Sequence, residues 1–244
     1  MKKLNVIYEG WGERYPLGIL ADNGRDILFE YTPEALKRGL EVSPFKMPLS
    51  SQTYGKHPAH QLRLPGLISD ALPDGWGMLV TDRLFRKQGL EPFEVSPLDR
   101  LAYIGRNAMG ALAFEPSEAD ALPPEDLQLL EIAEDVRHVF EDDESEAMLR
   151  KLVLMGGSPQ GARPKVLVNF DKSKNLISTP ESGRGTPMLV KFPAQNEAKE
   201  ACAIEALYCA LAHASGIRVP AHQFFDLDKE MSAFGIERFD RVDG

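Results

Sequence analysis

Short runs of apolar and β-branched residues at Val6–Tyr8, Leu17–Ala21 and Ile27–Tyr31 are separated by turn residues, Gly10-Trp11-Gly12 and Asp22-Asn23-Gly24. Such runs predict strands, and the second separator predicts a hairpin. The period then becomes helical. Thr32 can cap a short helix with Pro33 in its first turn and Gly39 at its end, and Ser96-Pro97 predicts another helix closed near Gly105. Between them, Leu72-Pro73-Asp74-Gly75-Trp76-Gly77 turns into an amphipathic helix through about Gln88. Leu79, Leu84 and Phe85 are expected on its buried side, with Asp82 and Arg83 toward a boundary or solvent. Ala111–Phe114 predicts a returning strand ended by Glu115-Pro116.

From Pro123 to Val153 the pattern is helical, with Leu127, Leu130, Ala133, Val136 and Phe140 at three-to-four spacing. The acidic run Glu141–Glu144 interrupts it and reads as a solvated link. After the glycine-rich stretch Gly156–Lys165 come a strand at Val166–Phe170, a polar hairpin at Lys172–Asn175 and a variable loop near Gly183-Arg184-Gly185. A strand at Met188–Phe192 follows, then a helix over Asn196–Ser215 stopped by Gly216, then strands at Gln223–Phe225 and Ser232–Glu237. The pattern predicts an α+β chain. Residues 1–118 form a β-rich amino-terminal α/β subdomain and 119–155 a helical connector. Residues 156–244 form a small lobe, an antiparallel sheet of four strands with one main helix.

With 244 residues, 43% hydrophobic and 27% charged, the composition is that of an ordinary soluble domain or pair of domains. No run approaches the ~20 apolar residues of a membrane span, and the start at Met1-Lys2-Lys3 is too soon interrupted for a secretory signal, so no membrane role and a cytoplasmic location are expected. Cys202 and Cys209 fall on one predicted helix, roughly 10 Å of rise apart, too far for a disulfide. A net charge of −9 argues against nucleic-acid wrapping by this chain alone, so any DNA role is expected to come through a partner.

The chemistry concentrates after residue 155. Glycines in Gly156–Lys165 let backbone N–H groups approach phosphate oxygens, and Ser158 adds a hydroxyl. Gly156 and Gly161 have the spacing of a Walker loop, but Ala162 stands where its lysine is needed and a strand follows, which excludes an ordinary P-loop NTPase. Lys191 ends an apolar strand on the face of Leu189 and needs an anion; Glu205, on the next helix among Ala201, Tyr208, Cys209 and Ala212, needs a cation. Pairing the two holds an ammonium at a phosphate, as a kinase-like small lobe does; the alternatives are Glu200 as the carboxylate, or a strand-end lysine snorkelling to water beside a half-exposed glutamate. An extended Glu237-Arg238-Phe239 can offer backbone groups to an adenine edge, with Asp240 near the ribose; by itself the segment also reads as an edge strand ending in a charged turn. His57 and His60 have metal-like spacing without neighbouring ligands, and no metal is assigned.

Leu72–Gly77, Arg-Leu-Ala-Tyr-Ile-Gly at Arg100–Gly105, Met109–Leu112, the loop Gly156–Lys165 and Glu237–Arg241 together resemble the HipA family of bacterial toxin kinases. The resemblance runs in order along almost the whole chain. It implies a serine/threonine protein kinase of a toxin–antitoxin module, using ATP and magnesium in the full-length parent. A DNA-binding antitoxin would be its partner, and a translation component, possibly an aminoacyl-tRNA synthetase, its protein substrate. It further implies an ATP site of Gly157, Ser158, Gly161, Ala162, Lys165, Lys191, Glu205, Glu237, Phe239 and Asp240, with autophosphorylation at Ser158. Residues 1–244 contain no His-x-Asp-x-x-x-x-Asn loop and no Asp-Phe-Gly segment, so no catalytic base or metal ligand is assigned and the chain alone is expected to be inactive, a part of a longer parent. The alternative is a stand-alone, non-catalytic binding or regulatory module of such a system.

Overall fold

The computed structural model describes residues 1–117, 122–156 and 159–241. In chain order come β1 (Lys2–Gly10), β2 (Glu13–Asp22), β3 (Ile27–Tyr31), α1 (Pro33–Arg38), α2 (Gly66–Ser69), α3 (Gly75–Lys87), α4 (Pro97–Ile104) and β4 (Leu112–Glu115). Then follow β5 (Asp126–Leu127), α5 (Leu129–Phe140), α6 (Glu146–Gly156), β6 (Lys165–Asp171) and β7 (Leu176–Ser178). The last are β8 (Thr186–Lys191), α7 (Glu200–Ala214), β9 (His222–Asp226) and β10 (Ser232–Glu237). The described residues form two units, one from 1–73, 90–117 and 159–160, the other from 74–89, 122–156 and 161–241.

The first unit is built on an antiparallel sheet in the order β3-β2-β1-β4. Val6, Leu17, Leu20, Phe29 and Phe114 are fully buried and join Ile68, Leu98 and Leu101 of the helices in one core. Local signals set the helix ends. Thr32 Oγ1 accepts the Ala35 N–H at 3.1 Å, and Gly39 closes α1 with φ at 75°. Ser96 and Asp99 form a reciprocal capping box at the start of α4.

The second unit carries an antiparallel sheet in the order β5-β7-β6-β8-β10-β9. It has six strands where the sequence pattern predicts four. The short β7 returns from the polar hairpin, and β5 arises inside the expected helical connector, with Leu127 opposite Ile177. Pro123 and Pro124 explain the second difference, since they bias the preceding backbone toward extended geometry and delay the helix. The buried stripe of α5 is accordingly Leu129, Ile132, Ala133, Val136 and Val139, while Leu130 and Phe140 are only half-buried.

Four further expectations change. On α3 the buried line is Trp76, Val80 and Leu84 with Thr81 and Phe85, and Leu79 lies roughly 100° around the helix, exposed. The acidic run is not wholly solvated: Glu144 is buried and accepts from Arg83 Nη1 at 3.1 Å, while the same nitrogen donates to the Val139 carbonyl at 2.7 Å. Helix α7 starts at Glu200, not Asn196, because Asn196 has φ at 65°, outside the right-handed helical region. Only Cys202 on α7 is buried; of the apolar stripe expected around Glu205, Ala201, Cys209 and Ala212 are half-buried and Tyr208 is exposed, and the neighbouring Ile204, Leu207 and Leu211 are each more than half exposed.

Candidate functional site

Strands β6 and β8 run antiparallel with Lys165 directly opposite Lys191, and Arg163 precedes Lys165 by two positions. Along β8, Met188 and Val190 are buried, while Leu189 and Lys191 alternate onto the other face. The Lys191 ammonium donates to Glu205 Oε2 at 2.8 Å and lies 5.8 Å from the centre of the Phe234 ring, near the outer limit of a cation–π contact. Glu205 Oε1 accepts from Arg163 Nη1, so both oxygens of one carboxylate are held by cations from two directions. Arg163 Nη2 donates to Glu197 Oε1 at 2.8 Å. The other Glu197 oxygen accepts the Ala194 N–H at 2.9 Å; that hydrogen bond first, and Arg163 second, hold its carboxyl below the usual range.

Lys165 is only 4% exposed, and its ammonium donates to the Gly161 carbonyl at 2.9 Å. Burial pulls its pKa below the ordinary lysine value; the Asp74 and Glu205 carboxylates oppose that, and Lys191 reinforces it. Gly161 has φ at 115°, and its N–H donates to Asp74 Oδ1. Arg163, Lys165 and Lys191 thus face Glu197, Glu205 and Asp74. Three cations are concentrated on one strand pair, each held by a named acceptor, and such a surface suits a polyanion.

Of the sequence-predicted residues, Gly161, Lys165, Lys191 and Glu205 come together, and Ala162 is exposed in the same loop. Gly157 and Ser158 lie outside the described residues. Glu237 ends β10 opposite Met188, and its N–H donates to the Ala221 carbonyl at 2.8 Å. Phe239 is largely exposed. Asp240 directs its carboxylate to Arg238, at 2.9 Å from Nε and 2.7 Å from Nη2, and to Arg241 at 3.0 Å.

Arg163, Glu197 and Asp74 are not among the site residues expected from the sequence. Alternation from Lys165 could have placed Arg163 on the same face, whereas Asp74 and Glu197 reach the cluster only through folding. A cavity of about 310 Å³ opens elsewhere in this unit, between α5 and the segment after β8, where Val136, Phe140, Phe192 and Met231 line it. Among the described residues no group of three or more His, Cys, Asp or Glu could hold a metal ion, and no helix is long and apolar enough to cross a membrane.

A family model described as the HipA N-terminal domain matches residues 6–115, and one described as the HipA-like C-terminal domain matches residues 157–243. No curated protein matches the chain significantly. Among solved structures, a chain of the HipA, HipB and operator DNA complex of a Shewanella oneidensis MR-1 toxin–antitoxin system aligns with a TM-score of 0.61 at 21% identity. The alignment covers 98% of this chain and 51% of that one, so this chain spans about half the length of its neighbour. At that identity the likeness is one of fold, and the α+β class is shared.

Proposed function

Since the chain belongs to the HipA family, we propose that its second unit is the ATP-binding small lobe of a serine/threonine protein kinase toxin. The observation that carries this reading is the 2.8 Å pair between Lys191 and Glu205, on the strand and helix that supply the phosphate-binding lysine and its orienting glutamate in kinase-like lobes. Lys191 would bind nucleotide phosphates and Glu205 would hold its ammonium in place. Arg163 restrains Glu205 from the other side, which keeps that carboxylate from swinging away. Lys165 and the Gly161 backbone would flank the same phosphates, with Ser158 the hydroxyl expected to be autophosphorylated. Backbone groups at Glu237 and Phe239 would take the adenine edge.

Magnesium would arrive on the nucleotide, since the described residues offer it no cluster of three His, Cys, Asp or Glu ligands. Phosphoryl transfer needs a base to take the hydroxyl proton, and residues 1–244 carry neither the His-x-Asp loop nor the Asp-Phe-Gly segment. The chain alone is therefore expected to bind MgATP weakly and to transfer no phosphate. Its partner would be a DNA-binding antitoxin, since a chain of net charge −9 reaches DNA best through a partner; the structural neighbour is held with HipB and operator DNA. The phosphate acceptor would be a protein hydroxyl, with an aminoacyl-tRNA synthetase the expected class.

Titration of the chain with MgATP tests the site. Lys191→Ala should weaken binding by about tenfold or more, and unchanged affinity removes the lysine from the site. A second reading, a non-catalytic binding module, is favoured by the exposed line Ile204, Leu207, Tyr208 and Leu211 on α7. Co-purification of a stoichiometric partner that Leu207→Glu releases would support it. Measurable kinase activity in residues 1–244 contradicts both readings.

A further inference from the structure

Asp74 occupies the N-cap position of α3, where a carboxylate ordinarily accepts an N–H of its own helix. Among the described residues its side chain makes no such capping bond. It accepts instead from the backbone N–H of Gly161, 87 positions away. The exchange is reciprocal, because the Trp76 N–H in the first turn of α3 donates to the Gly161 carbonyl at 3.3 Å. That carbonyl also receives the Lys165 ammonium at 2.9 Å. Both polar groups of one loop glycine are thus engaged by a single turn of chain.

The approach is close enough to restrict residue type. Gly75 has φ at 39°, and a Cβ there would come within 2.9 Å of both the Ala162 Cα and the Gly161 carbonyl oxygen. Those are backbone atoms, which cannot swing aside. The turn is itself anchored. Trp76 is buried, with its ring 5.4 Å from that of Phe140, and α3 packs along α6. The loop is therefore tied to a packed helix rather than left to its own glycine-rich flexibility.

We propose that Asp74, Gly75 and Trp76 form a positioning latch that fixes Gly161 and Ala162, and through them sets Arg163 and Lys165 against Glu205 and Lys191. Its functional meaning rests on the nucleotide reading above, whereas its existence does not. Release of the latch frees the Gly161 N–H, leaves its carbonyl to the Lys165 ammonium alone and loosens the loop from the cation cluster. Charge adds to geometry, since Asp74 is the carboxylate that most strongly favours the charged form of the otherwise desolvated Lys165.

The experiment is amide hydrogen exchange and lysine-amine titration by NMR on the chain of residues 1–244, with and without MgATP. In the unaltered chain the Gly161 amide should be protected; exchange at the rate of an open loop overturns the proposal without any variant. Asp74→Ala should raise Gly161 exchange at least about tenfold, the loss of a hydrogen bond to a charged acceptor, while α4 and β1–β4 keep their protection. Asp74→Asn retains an acceptor oxygen, so it should largely restore Gly161 protection yet lower the Lys165 pKa further, a split that a merely structural role would not produce. Gly75→Ala should open the same amide by displacement.

With MgATP, the two latch-breaking variants should weaken binding several-fold. Tighter binding in Asp74→Ala would mean that Asp74 competes with phosphate rather than positioning the loop, and would overturn the proposal. If the unaltered chain binds no MgATP, the nucleotide reading fails, and Gly161 exchange still decides the latch.

Discussion

Lys165 and Lys191 stand directly opposite each other on adjacent antiparallel strands, an arrangement in which like charges repel. The fold tolerates it because each ammonium has its own acceptor, the Gly161 carbonyl at 2.9 Å for Lys165 and the Glu205 carboxylate at 2.8 Å for Lys191. Arg163 adds a third cation beside them. Concentrating positive charge at a sheet end opposes stability and favours an anion, and that tension is the physical basis of the predictions for this site.

Glu205→Gln removes the charge shared by Lys191 and Arg163 while keeping the side-chain volume. Because both carboxylate contacts are only partly shielded from water, stability should fall by about 1–2 kcal/mol. Urea unfolding should show the loss, and adding a polyanion such as pyrophosphate should stabilise the unaltered chain. No change in either measurement removes Glu205 as the organiser of the cluster.

Arg83→Met should be more damaging than the loss of an exposed arginine, because Arg83 is half-buried. Glu144 is buried, and its guanidinium partner also bonds the Val139 carbonyl at 2.7 Å. Loss of the arginine leaves a carboxylate without its buried partner, a cost of about 2–4 kcal/mol. The double variant Arg83→Met with Glu144→Leu should recover a large part of that loss in thermal or urea unfolding. If the double variant is as unstable as the two single losses added together, the pair is not coupled.

Tyr31 gives the first unit a defined alkaline response. Its hydroxyl donates to the Met47 carbonyl at 2.8 Å, and burial, the largest cause, pushes its pKa from 10.0 up to about 12. The folded form keeps the proton longer than the unfolded form, so this contribution is fully present below pH 10 and is lost as pH rises toward 12. A shift of that size corresponds to about 2–3 kcal/mol across the window. Tyr31→Phe should be less stable at neutral pH by about 1 kcal/mol and should unfold less steeply with rising pH, as followed by far-UV circular dichroism.

Ser96→Ala tests a purely local device. Ser96 Oγ accepts the Asp99 N–H at 3.2 Å, and the Ser96 N–H donates to Asp99 Oδ2 at 3.0 Å. Removing the hydroxyl should cost about 1 kcal/mol and raise amide exchange in the first turn of α4. Unchanged exchange there would show that tertiary packing, not the cap, fixes the start of the helix.

Most strands and caps were legible because their causes are local. The hairpin residues Asp22-Asn23-Gly24, the caps Thr32 and Ser96 and the stops Gly39 and Gly105 each act on backbone within a few positions of themselves. The stripe on α3 departs from the apolar period at Leu79 because period alone admits neighbouring faces, and only packing selects the line through Trp76, Val80 and Leu84. Strand β5 could not be read from its two residues, since a strand that short exists only by virtue of its neighbour.

The sequence by itself determined the alternation that sends Lys191 to one face of β8, the glycine loop before β6, and a helix bearing Glu205, because dihedral preferences and apolar period act over short stretches of chain. The pairing of Lys191 with Glu205 was also legible, and tertiary structure decided which further charges join them. Arg163 reaches Glu205 across 42 positions and Asp74 reaches Gly161 across 87, distances at which sequence carries no geometric information. Those contacts depend on how sheet and helices pack, and packing sums many weak interactions that no local pattern specifies.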